Sequence, residues 1–154
     1  MPVPSPVRER GFTLVELVAV IVIVGILAAV VLSRFPGVSP FSSRAARDQV
    51  VSGLRYAQQQ AMSRNRPARF VFGAGRYRVQ FRDSGGAWTD VPVPGSGASR
   101  WQLPGGVRFA ASGSRRFNGL GQPVATCGPG AGVDLTSGAT VAIECETGFV
   151  HAGN

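Results

Sequence analysis

Few side chains in this sequence could perform or receive chemistry. There is one histidine, His151, and there are two cysteines, Cys127 and Cys145, with seventeen residues between them. No Ser–His–Asp or Cys–His grouping can be placed from spacing. The sequence has no phosphate-binding glycine loop, paired-carboxylate motif or metal signature, so an enzyme reading has little support and no cofactor is expected. In an oxidising compartment the two cysteines would first be read as a disulfide, whose loop closure contributes roughly 3 kcal/mol. The rival is a zinc site that adds His151, Glu144 or Glu146. The short Cys–Cys spacing of such sites is missing, so no metal is expected.

The most unusual chemical group is Glu16. It is the single charge in the apolar run Phe12–Leu32. About 20 apolar residues in a helix span the hydrocarbon of a bilayer. A carboxylate there costs roughly 2.5–3.5 kcal/mol, so such a group usually has a partner and a role. The run is rich in β-branched residues, among them Val18, Val20, Ile21, Val22, Ile23 and Val24. In water these would argue for a strand. In a membrane the backbone must satisfy itself, so a helix is expected. Gly25 is the weak point of that helix, as a close-packing position or a site of local melting.

Charge is the second unusual feature. Of the 154 residues, 16 are basic, all of them arginine, and the net charge is +8. From Ser33 onward fourteen arginines stand against six acids. Scattered surface charge is the ordinary reading. Nucleic acid, anionic lipid or an acidic protein are the possible partners of a basic domain. The residues that come closest to a patch are Arg76, Arg78 and Arg82. They alternate with Tyr77, Val79 and Phe81 along one predicted strand and so share a face. They are the candidate nucleic-acid contacts, for backbone phosphate without sequence reading.

The elements that must position these groups follow in chain order. Met1–Gly11 is short and polar, with Arg8 and Arg10 ahead of the apolar run, as at the cytoplasmic end of an export signal. Phe35-Pro36-Gly37 to Pro40 should break or kink the helix. A second helix, capped by Ser42 or Ser43, is predicted to run to Asn65. Its buried stripe is Val50, Leu54, Ala57 and Ala61, widened by Val51 and Met62. From Pro67 the period changes to two, and Ala68–Phe72 and Arg76–Arg82 read as a hairpin around Gly73-Ala74-Gly75. Ser84–Gly106 reads as loop, with Trp88 and Trp101 packed beneath it. Val107–Ala110, Arg115–Pro123, Val133–Leu135, Thr140–Cys145 and Thr147–His151 read as short strands and turns. Helix first and strands after implies α+β with a mostly antiparallel sheet.

The string Arg10-Gly11-Phe12-Thr13-Leu14-Val15-Glu16, followed by the apolar run, resembles the class III signal of type IV pilins and of the pseudopilins of type II secretion. The resemblance implies a cleaved leader (1–11), a transmembrane and filament-core helix (12–34) and a periplasmic head domain (35–154). It implies cleavage between Gly11 and Phe12 by prepilin peptidase and N-methylation of Phe12. It also implies that Glu16 pairs with the N-terminal amine of a neighbouring subunit during assembly. Such pairing offsets a desolvation cost that neither charge could bear alone. The implied fold is pilin-like: one long helix, half membrane-embedded and half amphipathic, packed on an antiparallel sheet. The implied location is the bacterial inner membrane as a single pass, then the filament, with other pilin or pseudopilin subunits as partners.

A looser resemblance covers the later part. Leu54–Arg69, Phe117–Pro123 and the terminal Thr147-Gly148-Phe149-Val150 are similar to the GspH/FimT group and to minor pilins of mannose-sensitive haemagglutinin pili. The leading implication is a minor pilin of a type IV pilus-like filament. A cysteine pair such as Cys127 and Cys145 suits that class, in which a C-terminal disulfide loop is common. The alternatives are an H-type minor pseudopilin and a FimT-like minor pilin that binds DNA for transformation. Members that bind DNA carry an arginine motif after the terminal Thr-Gly. Here Phe149-Val150-His151-Ala152-Gly153-Asn154 holds no arginine, which weighs against that route.

Overall fold

The computed structural model describes residues 13–32, 39–92, 97–124 and 131–153. The chain divides into two units, Met1–Gly37 and Val38–Asn154. The first contains α1 (Leu14–Leu32). The β-branched run is helical here, as expected for a segment that satisfies its own backbone. Helix continues through Gly25, where an added Cβ would meet nothing within 4 Å.

The second unit begins with α2 (Pro40–Arg64). Sequence placed the cap at Ser42 or Ser43, but the helix starts earlier. Ser39 is the N-cap, its Oγ accepts from the Ser42 amide at 3.1 Å, and Pro40 opens the first turn. Proline suits that position because its φ is already helical and its missing amide would have had no partner. At the other end Asn65 takes the left-handed conformation (φ 47°, ψ 42°), and Pro67 follows two residues on. Asparagine tolerates that conformation better than most residues.

Among the described residues nine strands follow: β1 (Ala68–Gly73), β2 (Arg76–Arg82), β3 (Trp88–Asp90), β4 (Trp101–Gln102), β5 (Gly113–Phe117), β6 (Pro123–Val124), β7 (Val133–Asp134), β8 (Thr140–Ile143) and β9 (Val150–Ala152). The larger sheet runs β3-β2-β1-β5-β6, with β4 also paired to β2. The smaller runs β7-β8-β9, and every strand pair is antiparallel. The α+β expectation therefore holds, and so does the hairpin, whose register pairs Phe70 with Val79 and Gly73 with Arg76. The loop expected over Ser84–Gly106 is not all loop. Trp88 and Trp101 lie on β3 and β4, each too short to show a period in the sequence and held by the edge of β2. The strand expected at Val107–Ala110 is absent. There the backbone makes one bridge, Phe109 to Leu135, and the Phe109 amide reaches the Ala74 carbonyl at 2.7 Å. The last expected strand starts late, at Val150, because Gly148 turns the chain with φ 71°.

The core lies between α2 and the sheets. Ala46, Val50, Gly53, Leu54, Ala57 and Ala61 of α2 are buried, as are Phe70, Phe72, Tyr77, Val79 and Phe117 of the larger sheet. Val133, Val141, Ile143 and Val150 extend the same core into the smaller sheet. The helical stripe is as read from sequence except at its margin, where Met62 remains 48% exposed. Burial of each large side chain contributes about 1.5–3 kcal/mol. Trp101 closes one end of the core by stacking on Tyr77, with ring centroids 5.1 Å apart and planes within 6°.

Candidate functional site

Three groups of residues carry the chemistry read from sequence, and the structure treats them differently. In α1, Thr13 caps the helix. Its Oγ1 accepts from the Glu16 amide at 3.3 Å, so Glu16 stands in the first turn. Its carboxylate is exposed and there complements the positive end of the helix dipole. Gly11 and Phe12, the expected cleavage and methylation positions, lie outside the described residues. The side chains described for α1, 13–28, are all exposed, with Leu14 at 78% and Leu27 at 59%. A helix apolar on every face must find its cover in lipid or in other helices. Among the described residues no helix is long and apolar enough to cross a membrane.

The cysteine pair is half visible. Cys145 is half-buried just beyond β8, and Cys127 lies outside the described residues. Of the companions named for a zinc site, His151 and Glu144 meet, but no group of three metal-ligating side chains exists among the described residues. His151 Nε2 lies 2.9 Å from Glu144 Oε1, and Nδ1 lies 2.9 Å from the Ala152 carbonyl. Both ring nitrogens thus face acceptors, which only the imidazolium satisfies as a double donor. These hydrogen bonds, that to Glu144 first, raise the His151 pKa above its ordinary value.

The arginine face is the most developed group. The outer side of the larger sheet carries Arg76, Arg78, Gln80 and Arg82 on β2, Arg69 on β1 and Arg116 on β5. The three arginines singled out from sequence do share this face, but in different states. Arg82 turns its Nε to the Gly86 carbonyl at 3.1 Å, and Arg78 Nε lies 4.0 Å from Asp90. Arg76, next to the hairpin turn, is exposed and unengaged among the described residues. Gln80, expected at the surface, is buried, since Arg69 Nε donates to its Oε1 at 2.7 Å and its Nε2 donates to Asp90 at 2.6 Å. Arg69 also lies over the Trp88 ring at 4.1 Å. Burial, then the positive charges of Arg78 and Arg116, lower the Arg69 pKa.

Arg69 and Arg116 were not singled out from sequence, although strict alternation from Ala68 and from Phe117 would have placed both outward. Arg100 gave no such signal, lying in the expected loop, and Arg108 lay in the short strand expected at Val107–Ala110 without being singled out; the fold brings both beside Arg76. One groove of about 320 Å³ is lined by Arg76, Arg78 and Arg100, and a second of about 380 Å³ by Arg76 and Arg108.

Residues 7–32 match the family described as the prokaryotic N-terminal methylation motif. The chain is 42% identical over 50 residues to the type IV narrow pilus major component PilA5 of Thermus thermophilus. That match spans 32% of this chain and 43% of the relative, which is less than half its length. No solved structure matches. The methylation motif, the pilin relative and a fold of N-terminal helix followed by antiparallel sheet together support a member of the type IV pilin and pseudopilin family.

Proposed function

We propose that this chain is a minor pilin, a structural subunit of a type IV pilus-like filament. In this reading prepilin peptidase cuts between Gly11 and Phe12, and the new amino terminus on Phe12 is methylated. The subunit waits in the inner membrane with its head in the periplasm, then packs α1 among other pilin helices. The observation that carries the reading is α1 itself. It sits within the methylation motif, is apolar on every described face, and holds one carboxylate in its capped first turn. Lipid and then neighbouring helices would cover the apolar faces. Glu16 would meet the amine of a neighbouring Phe12, which replaces lost hydration with an opposite charge. The relative is by its name a pilus component, which favours a pilus over a secretion filament. A Cys127–Cys145 disulfide would tie the segment after β6 to the end of β8.

The test is processing in cells that carry the peptidase. The wild-type chain should yield a mature form beginning with methylated Phe12, read by mass spectrometry. Gly11→Val should leave the full precursor, because a side chain at that position blocks the cut. Glu16→Ala should be processed and then fail to enter filaments. Normal processing of Gly11→Val would overturn the reading of the signal. Full incorporation of Glu16→Ala would overturn the pairing.

A further inference from the structure

One end of the head domain is both positive and apolar. The short turn Pro104–Gly106 packs on the start of α2, where a Cβ added to Gly105 would run into Ser42. The chain on either side of that turn reaches the β1–β2 turn. The Leu103 amide donates to the Gly75 carbonyl at 2.8 Å, and the Phe109 amide to that of Ala74 at 2.7 Å. Arg44, Arg76 and Arg108 are thereby gathered at the end of the domain where α2 begins. All three are exposed, and their guanidinium groups make no hydrogen bond or ion pair among the described residues. The nearest carboxylate along α2, Asp48, lies 3.6 Å from Arg47, so its charge is already offset. The amide end of α2 adds a partial positive charge of its own. At the same end the Phe41 ring is 82% exposed, the most exposed large apolar side chain among the described residues. An apolar ring among unpaired cations has the composition of a surface that meets a bilayer, with the ring at the acyl boundary and the cations at the headgroups.

We propose that this end of the head, Phe41 with Arg44, Arg76 and Arg108, docks on the surface of a bilayer that carries anionic phospholipid. The inference rests on the reading of α1 as a membrane-embedded helix, and chain length then selects the surface. Seven residues, 33–39, separate α1 from α2. At roughly 3.5 Å per residue they reach at most about 28 Å, so the start of α2 is tied close to the lipid. The other end of α2, at Arg64, lies a further 36 Å or so along the helix, at about 1.5 Å per residue. Attraction between arginine and an anionic surface fades within a Debye length, about 8–10 Å at ordinary salt, so the charges at the near end are the ones it selects. The guanidinium fork matches the paired oxygens of a phospholipid headgroup. Phe41 separates a bilayer from a dissolved anion, which offers the ring nothing. Docking holds the head on the membrane before assembly, and is broken when α1 leaves the lipid.

The test is amide exchange of the full chain in lipid nanodiscs, made of phosphatidylcholine alone or with phosphatidylglycerol added. In the anionic discs exchange over Phe41–Arg44 and Gly105–Arg108 should slow about tenfold relative to the neutral discs. The difference should vanish near 1 M salt, where the Debye length is about 3 Å. Exchange at Arg64–Arg66 should be the same in both discs. R44Q/R108Q should lose most of the slowing and F41S part of it. R66Q/R116Q removes equal charge from exposed positions away from this end and should keep the slowing. None of these arginines donates a side-chain hydrogen bond among the described residues, and Phe41 is exposed, so all variants should melt with wild type. Equal exchange in the two discs would overturn the docking, as would equal loss in the two double variants. Equal slowing by soluble polyphosphate in neutral discs would also overturn it, by marking an anion site in place of a bilayer surface. A chain that does not enter neutral discs would overturn the membrane reading of α1 and the docking with it. A chain that enters them without the anionic slowing overturns the docking alone.

Discussion

Arg55 of α2 donates two hydrogen bonds to the Val150 carbonyl, from Nε at 3.2 Å and from Nη2 at 2.9 Å. These residues are ninety-five positions apart in sequence, and the contact fastens β9, the last strand, to the helix that opens the domain. Gln58 repeats the device one turn later, with Nε2 donating to the Gly121 carbonyl at 2.8 Å. Polar side chains at the margin of the helical stripe thus fasten both sheets to α2, Arg55 the last strand of the smaller and Gln58 the β5–β6 turn of the larger, while the apolar stripe packs in the core they share.

Arg55→Ala should loosen that attachment. A hydrogen bond from a charged donor contributes about 1.5–3 kcal/mol when buried, but Arg55 is exposed, so a loss of about 1 kcal/mol is expected. Chemical denaturation measures the loss. Amide exchange should rise first at Val150–Ala152, and an unchanged exchange pattern there would remove the assigned role.

Gly53→Ala separates helix propensity from packing. In an isolated helix the change gains about 1 kcal/mol. Here an added Cβ would lie 2.8 Å from a ring carbon of Phe70 and 2.7 Å from one of Tyr77. Both rings are buried, and overpacking of a core costs about 1–3 kcal/mol. Packing should win, so the variant should melt below wild type. A higher melting temperature would show that the helix can move away from the sheet.

Gly148→Ala should be more damaging. Gly148 has φ 71°, which costs an L-residue roughly 1–2 kcal/mol, and its Cβ would run into the Gly121 carbonyl and the Gln58 amide. A destabilisation of at least about 2 kcal/mol is expected, read by thermal or denaturant unfolding. The Gln58–Gly121 contact should be lost with it.

Tyr77 sets an alkaline limit. Burial pushes its pKa up from 10.0 to about 12, and the hydrogen bond from its hydroxyl to the Gln49 carbonyl, 3.3 Å, lies within the core. The folded state therefore holds the proton longer than the unfolded chain. The stabilisation is complete below pH 10 and is lost as pH rises toward 12, by roughly 3 kcal/mol in all. Tyr77→Phe should lower stability at neutral pH by about 1 kcal/mol and flatten the alkaline decline. Equal slopes for the two proteins between those limits would contradict the assignment.

Much of the domain was legible from side-chain period alone. The stripe Val50, Leu54, Ala57 and Ala61, the alternation from Ala68 to Arg82 and the turn at Gly73–Gly75 are local patterns, and they appear where local physics puts them. The start of α2 was misread by a few residues because Ser42 and Ser43 are as good caps as Ser39. Pro40 decides the matter by pre-setting the first helical φ.

The sequence by itself determined the identity of α1. An apolar run with one carboxylate after Gly11-Phe12 is a linear signal, so it needs no fold to be read. It likewise determined that helix precedes an antiparallel sheet, since those periods lie within single segments. What only the tertiary structure decided is which charges act together. Arg100 and Arg108 lie in irregular segments, and they meet Arg76 because β4 pairs with β2 and the Phe109 amide reaches the Ala74 carbonyl. Arg82, equally charged and on the same strand, is withdrawn by a single turn carbonyl. Charge is additive along a sequence, but the field it makes depends on distance, and distance is set by the fold.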